Sequence, residues 1–370
     1  MDFRLGGNAW GVHRVIQPHG GLPQAALKLD ATLPPYDNEI LVSLRRLQID
    51  AASFRQLDEK HLSLRGLKGR SNPVEIAEPV LSVATGSPAA PRNDIAYKIY
   101  QIVAERGKMH NPVTNSGGVF LGKVSFVGPR HPLKKELKEG SEVISLVSLT
   151  LTPLTLEKIS EVNTARDTVD ATGHAIVFES GMVKKMPEDF NEGVALAALD
   201  VCGAPAQVKR LVRPGEKVLV IGLGKAGKTV AAMAHEMGGT VYGVDEDAKA
   251  VDWCAKNIPG HFAQINATAV QDVTGWVQTE TRKSLVDVAV LATNIADTEM
   301  SAILPCRNGG RALFFGMQTS FQKVVLGAEG VGKDIQLLMG SGYVPGHADL
   351  MLNLLRNHKP LREWFEEKFT

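Results

Sequence analysis

The chain has 370 residues and a mass of 39.9 kDa, more than one hydrophobic core usually supports, so a single small module is excluded and two domains are expected. With 44% hydrophobic and 22% charged residues it has the composition of a globular protein, not a disordered one. The 41 Lys and Arg against 40 Asp and Glu leave a formal charge of +1, which excludes the basic surface needed to track nucleic-acid phosphates.

In chain order, the opening MDFRLGGNAWGVHR lacks the apolar core of a signal peptide. Between residues 39 and 180 the apolar runs are short and β-branched: EILVSLRRLQID (39–50), VFLGKVSFVG (119–128), EVISLVSL (142–149) and HAIVFES (174–180). PPYDN, NPVTNSGG and VGPRHP punctuate this part, which predicts strands of an irregular barrel or sandwich. The apolar uncharged stretch at residues 143–156 is too short and too rich in Ser, Thr and Pro to span a membrane. An Ala-rich helical segment at 192–211 leads through Arg213-Pro214-Gly215 to a new pattern, with strands expected at 217–221, 240–244, 261–265, 286–291, 311–315 and 335–340. Continuous apolar strands alternating with helix-length spacers predict an α/β, doubly wound (Rossmann) parallel sheet covered on both faces. The tail HADLMLNLLRNHKPLREWFEEKF predicts a helix broken near Lys359-Pro360 that packs back on the chain. The expected division is a β-rich catalytic part at 1–190 plus 343–370, and a dinucleotide-binding part at 191–342. The cysteines, Cys202, Cys254 and Cys306, are odd in number and widely spaced, so they form neither a disulfide framework nor a CxxC metal site, and a reducing cytoplasm is expected.

Gly222-Leu223-Gly224-Lys225-Ala226-Gly227 is a GxGxxG placed directly after the strand KVLVI and before the helical KTVAAMAHEMG. Gly222 permits a tight turn, Gly224 lets backbone N–H groups approach a pyrophosphate, and Gly227 allows close helix-to-strand packing. Asp245 closes the next strand, 23 residues after Gly222, where a carboxylate accepts hydrogen bonds from an adenosine ribose; the plainer alternative is a helix N-cap. An Asp there repels a 2′-phosphate, which favours NAD over NADP, while Lys225 and Lys228 soften that preference. Thr293 and Asn294 after the fourth strand, and Gly316 with Met317 after the fifth, are second-rank cofactor contacts or ordinary turn residues.

A β-rich first part, a late dinucleotide fold and a returning tail together resemble the medium-chain dehydrogenase/reductase superfamily. More narrowly, YDNEI (36–40), IDAASF (49–54), HNPVTNSGGVFLGKV (110–124), GLGKAG (222–227) and GSGYVPGHADLMLNLLR (340–356) resemble the L-erythro-3,5-diaminohexanoate dehydrogenase family over most of the chain. The resemblance implies a GroES-like first domain and oxidative deamination of a diamino acid in lysine fermentation. In that reaction NAD takes hydride from C3, the imine is hydrolysed, and 5-amino-3-oxohexanoate and ammonia leave. Where metal-dependent members keep a Cys, a His and a second Cys, this sequence holds Asp50, Gly118 and Ala197, so catalytic zinc is expected to be absent, as is the four-Cys structural lobe. An amine donor needs deprotonation, and its cationic iminium product gains nothing from a Lewis acid. A homodimer joined through the edge strand at 335–340 is also implied, with no nucleic-acid or membrane partner.

Asp50 therefore becomes a candidate to steer a substrate ammonium or take its proton, with Ser53 as a polar companion; equally, it is a turn Asp capping AASF. His110, Asn111, Thr114, Asn115 and Ser116 form a polar, glycine-rich loop suited to substrate or nicotinamide contact, or an ordinary turn; His110 would carry a proton near neutral pH. His13, His19, His131, His174 and His347 read as surface or structural residues. Asp200 and Cys202 precede the cofactor part and read more simply as a helix-end Asp and a buried thiol. Arg14, Lys108 and Lys123 are three options for the substrate carboxylate. Two rival functions stand beside the deaminating dehydrogenase: a zinc-free quinone or enone reductase, and a non-enzymic dinucleotide-sensing protein.

Overall fold

Two units divide the chain, Met1–Glu192 and Gly193–Thr370, each built round its own sheet. The computed structural model describes residues 2–58, 95–316, 318–340 and 343–370.

In the first unit a small antiparallel pair, β1 (Val15–Gln17) and β2 (Lys28–Leu29), precedes the main sheet. The main strands are β3 (Ile40–Ile49), β4 (Gly118–Val127), β5 (Glu142–Ser145), β6 (Leu154–Asn163), β7 (Thr168–Val177) and β8 (Val183–Lys185), in the antiparallel order β6-β7-β3-β4-β5-β8. Ile40 pairs with Val127 and Ile49 with Gly118, so β3 and β4 run the length of each other and bring residue 50 beside residue 117. Two helices, α1 (Ala51–Asp58) and α2 (Ile95–Arg106), cover the core. Ile95, Ile99 and Val103 recur every four residues and bury one stripe of α2 against the same core as Phe54 and Leu57 of α1. The Ile, Val and Tyr residues of α2 also carry strand propensity, so the mostly β pattern of this part does not set the helix apart.

The second unit opens with α3 (Glu192–Asp200) and α4 (Gly203–Leu211), the Ala-rich segment broken at Val201 and Cys202. Strands and helices then alternate: β9 (Lys217–Ile221), α5 (Lys225–Glu236), β10 (Thr240–Asp245), α6 (Ala248–Asn257), β11 (Gly260–Gln264), α7 (Val270–Glu280), β12 (Val286–Leu291), α8 (Glu299–Ile303), β13 (Cys306–Phe314), α9 (Phe321–Leu326) and β14 (Ile335–Met339). All five pairings are parallel in the order β11-β10-β9-β12-β13-β14, so the connection reverses direction between β9 and β12. That reversal opens a crevice at the carboxyl ends of these two strands. β9 and β12 are buried along nearly their whole length, as a sheet covered on both faces requires.

The tail forms α10 (His347–Asn357) and α11 (Lys359–Phe369), split where the sequence placed the break. It belongs to the second unit, not to the β-rich part as the sequence division had it: Met351, Leu352, Leu354, Leu355 and Phe365 are buried, with α10 packed on α4 and α5, and α11 on α5. Among the described residues no helix is long and apolar enough to cross a membrane.

Candidate active site

The β9–α5 turn is built from backbone. Gly222 has φ +90° and Gly227 lies so close to it that a Cβ would stand 1.8 Å from the Gly222 carbonyl oxygen. Gly224 is exposed, and a Cβ there would meet no atom within 4 Å, which leaves its surroundings open for a ligand. Asp245 ends β10 beside this turn. Its Oδ2 accepts from Leu223 N–H at 2.6 Å and its Oδ1 from Asp247 N–H at 2.9 Å. The cap of α6 is Asp247, whose side chain accepts from Lys249 N–H, so the capping alternative falls to the neighbour. Asp245 holds the glycine loop, and each carboxylate oxygen keeps acceptor capacity for a ribose hydroxyl.

Both lysines of the loop are already engaged. Lys225 Nζ donates to Asp200 Oδ2 at 2.6 Å, and Lys228, buried, donates to the Leu223 carbonyl. Neither supplies the loose positive charge that the sequence reading set against NAD selectivity. Leu223 turns its side chain inward, and the Ala226 carbonyl accepts from Thr229. A Cβ on Gly316 would lie 2.0 Å from the Thr293 carbonyl, and one on Gly222 would lie 3.0 Å from Thr293 Cβ, so the turns after β9, β12 and β13 converge. Asn294 sits in that turn next to Thr293, while Met317 lies outside the described residues. Open glycine backbone, the amino end of α5 and an acid at the end of β10 suit the pyrophosphate and ribose of a dinucleotide.

The polar loop of the first unit is built from side chains. Asp50 directly precedes α1, its carbonyl accepting from Phe54 N–H and its Oδ2 from Gly117 N–H at 2.9 Å. Ser53 is fully buried, its hydroxyl 2.5 Å from that of Thr114 and 2.7 Å from that of Ser116. It anchors the loop from beneath and does not face a ligand. Asn111 Nδ2 donates to Gln56, and its Oδ1 accepts from Val113 N–H. Asn115 takes φ +54°, a conformation Asn tolerates, with its side chain exposed. The sequence thus named a set that does assemble: Asp50, Ser53 and residues 110–117 form one docked loop.

His110 stands apart within it. Both ring nitrogens are buried, and neither has a hydrogen-bond partner among the described residues. Burial, reinforced by the charges of Lys108 and Arg106, pushes its imidazole down to about 4. It is therefore neutral at pH 7 and does not titrate there, a correction to the near-neutral proton carrier expected from the sequence. A buried polar group left without a partner is costly and calls for a ligand or water.

The proposed carboxylate ligands fare less well. Arg14 is fully buried and committed to Glu39 (2.7 and 3.0 Å) and to the Thr32 carbonyl. Lys108 is buried, donates to the Pro23 and Gln24 carbonyls, and is pushed down to about 8 by desolvation. Lys123 is exposed on β4. Arg106 was passed over: it ends α2, is half-buried, its guanidinium has no hydrogen bond or ion pair among the described residues, and its charge reaches His110. A lone Arg at a helix end gave no pattern by which to find it. The first unit also carries an open pocket of about 530 Å³ lined by Lys28, Asp30, Thr32, Tyr100, Thr155 and His174, residues too scattered along the chain to signal it.

A zinc of the Cys-His-Cys type does not fit these residues. Gly118 lies against Gln48, where a Cβ would stand 1.9 Å from the carbonyl oxygen, and Ala197 is buried in α3. Burial pushes the thiols of Cys202, Cys254 and Cys306 each up to about 12, leaving them protonated. Among the described residues no three His, Cys, Asp or Glu side chains are grouped to hold a metal ion.

A family model described as the L-erythro-3,5-diaminohexanoate dehydrogenase N-terminal domain matches residues 13–66 and 84–187. Two proteins named L-erythro-3,5-diaminohexanoate dehydrogenase align over almost the whole chain. The one from Acetoanaerobium sticklandii is 39% identical, covering 98% of this chain and 99% of its own; the one from Fusobacterium nucleatum is 40% identical, covering 98% of each. This chain belongs to the L-erythro-3,5-diaminohexanoate dehydrogenase family. Membership makes it an oxidoreductase of the dehydrogenase class and removes the reading as a non-enzymic dinucleotide sensor. Solved structures similar to this family member share its fold at low identity. They include an alcohol dehydrogenase from Thermus sp. ATN1 (TM-score 0.51, 19% identity, 90% of this chain and 87% of that one) and a zinc-dependent alcohol dehydrogenase from Streptococcus pneumonia (0.53, 13%, 91% and 86%). A mycobacterial protein complexed with NADPH aligns with TM-score 0.52 and 15% identity over 94% of this chain and 87% of that one.

Proposed function

We propose that the protein oxidatively deaminates L-erythro-3,5-diaminohexanoate to 5-amino-3-oxohexanoate and ammonia in lysine fermentation, with NAD as the preferred acceptor and NADP as a weaker one. The observation that carries this is the identity near 40% along the full chain to two proteins bearing that name. Bound at the glycine loop, NAD would accept the hydride leaving C3. The rest falls to the chain. A substrate ammonium must lose a proton before C3 can give up hydride, and water must then add to the C=N bond so that ammonia leaves.

His110 is the residue proposed to bind the substrate amine as a hydrogen-bond acceptor, since a neutral imidazole with no partner among the described residues has a lone pair to offer, while the proton itself passes to solvent. Asp50 positions the loop through Gly117 and supplies negative potential for an ammonium group; Asn115 offers its exposed amide to the substrate. Arg106 replaces the earlier carboxylate candidates. Zinc has no part in this proposal, because two of the three ligand places, Gly118 and Ala197, have no side-chain donor atom.

The decisive assay adds synthetic 3,5-diaminohexanoate and follows NADH absorbance together with ammonia. One ammonia per NADH supports the reading; inactivity on this donor with turnover of a quinone or enone would replace it. Asp50→Asn keeps an oxygen for Gly117 N–H, so the Michaelis constant should rise with turnover nearly kept; Arg106→Met should also raise it. Metal analysis near one zinc per chain would contradict the zinc-free part.

A homodimer through β14 is also proposed. This strand is the edge of the parallel sheet, with Leu337 41% and Met339 46% exposed, and an apolar edge left bare invites association. A monomeric mass in light scattering at micromolar concentration would reject it.

A further inference from the structure

We infer that Lys228 is a positioning residue for the dinucleotide: its buried ammonium, boxed by Trp253 and the C-terminal helix residue Trp364, fixes the Leu223–Gly224 peptide with its N–H presented to the pyrophosphate. The inference rests on the reading that a dinucleotide occupies the glycine loop.

Lys228 is only 3% exposed, an unusual place for an ammonium, and it lies on the first turn of α5. Its Nζ donates to the Leu223 carbonyl and stands 5.3 Å from the ring centre of Trp253 on α6 and 4.8 Å from that of Trp364 on α11. The two indoles are 6.1 Å apart, so the cation is held between aromatic faces that compensate part of its lost hydration. The second hold on the loop comes from Asp245, which accepts from Leu223 N–H at 2.6 Å. Leu223 is thus gripped at both its backbone groups, by an anion at the N–H and a cation at the C=O.

The consequence follows from peptide geometry. In a trans, planar peptide the carbonyl and the next N–H point in opposite directions. With the Leu223 carbonyl turned to Lys228, the Gly224 N–H must face away from it, and no described residue accepts from that N–H. Gly224 is exposed and the space beside its Cα is open, so this N–H is offered to a ligand. A cation on the carbonyl also polarises the peptide and makes that N–H a stronger donor. Through Trp364, the last helix of the chain becomes part of the support under the cofactor loop.

The test compares ADP, which carries a pyrophosphate, with adenosine, which carries none, by calorimetric titration of the full chain. Lys228→Met should weaken ADP and NAD roughly tenfold to a hundredfold while adenosine changes by less than about twofold. Wild-type ADP affinity in the variant, or equal losses for ADP and adenosine, would overturn the inference. If Lys228→Met does not fold, Trp364→Leu carries the test, with the same split expected at smaller amplitude and an unsplit loss overturning it. A wild-type chain that binds NAD beside a variant that binds it equally rejects Lys228 alone; a wild-type chain that binds no NAD rejects the cofactor reading as well.

Discussion

The glycine loop after β9 and the polar loop before β4 are each tied down by an aspartate that accepts a backbone N–H: Asp245 from Leu223, Asp50 from Gly117. Beyond that shared device they differ. The glycine loop offers a ligand its backbone, its side chains being absent or turned into the protein. The polar loop uses its backbone and most side chains to hold itself, through Ser53, Thr114, Ser116, Asn111 and Gln56, and leaves one imidazole over. A site made of backbone is specified by where side chains must be missing; a site made of side chains is specified by which of many polar groups remains unused.

The contrast breaks most sharply at His110. His110→Leu should lower turnover roughly tenfold to a hundredfold by removing an acceptor for the substrate amine, with NAD affinity unchanged, measured by steady-state kinetics and dinucleotide titration. A variant with wild-type turnover would make the polar loop purely structural. Next in size, Asp245→Ala removes both the acceptor for a ribose and the pin on Leu223, and NAD should weaken by about 1.5–3 kcal/mol, more than NADP. Unchanged cofactor preference in titrations of both would limit Asp245 to holding the loop. Gly227→Ala should cost about 1–3 kcal/mol, because the new methyl meets the Gly222 backbone and not a yielding side chain, and it should appear as a lower melting temperature together with weaker NAD. A stable variant with intact affinity would show that the glycine spacing is incidental.

The smallest effect concerns pH. His110 has its folded value near 4 against an ordinary 6.5, so the unfolded chain takes up a proton that the native chain refuses. Stability linked to this residue is fully present above pH 6.5 and is lost as pH falls toward 4. His110→Gln should therefore show a shallower fall in melting temperature between pH 7 and 4.5 than the wild type. Parallel curves would mean that the imidazole is not held neutral by its surroundings.

How much of this could be read beforehand follows from the same contrast. The six strands of the second unit are mostly apolar runs, so their positions, their parallel pairing and the loop at 222–227 were legible to within a residue or two, apart from the early start of β13; their order in the sheet was not. In the first unit β6, β7 and α2 were poorly legible, because LTLEKISEVN is polar on its open face and IAYKIYQIVAER mixes strand-forming residues with a helical stripe. Asp50 and the 110–116 loop were found by composition and resemblance, but composition gave no way to tell Ser53, an anchor, from His110. Arg14 and Lys108 looked available because a sequence does not display burial; Arg106 was missed because its distinction is the lack of a partner. The tail helices were found, yet their attachment to α4 and α5 depends on contacts that no local pattern encodes.

The central claim, that a C3 hydride passes from a diamino acid to NAD with loss of ammonia, is tested most directly with 3,5-diaminohexanoate deuterated at C3. Mass analysis of the reduced cofactor should find one deuterium per molecule, with ammonia formed in equal amount. Reduced cofactor without deuterium, or deuterium transfer without ammonia, would contradict it.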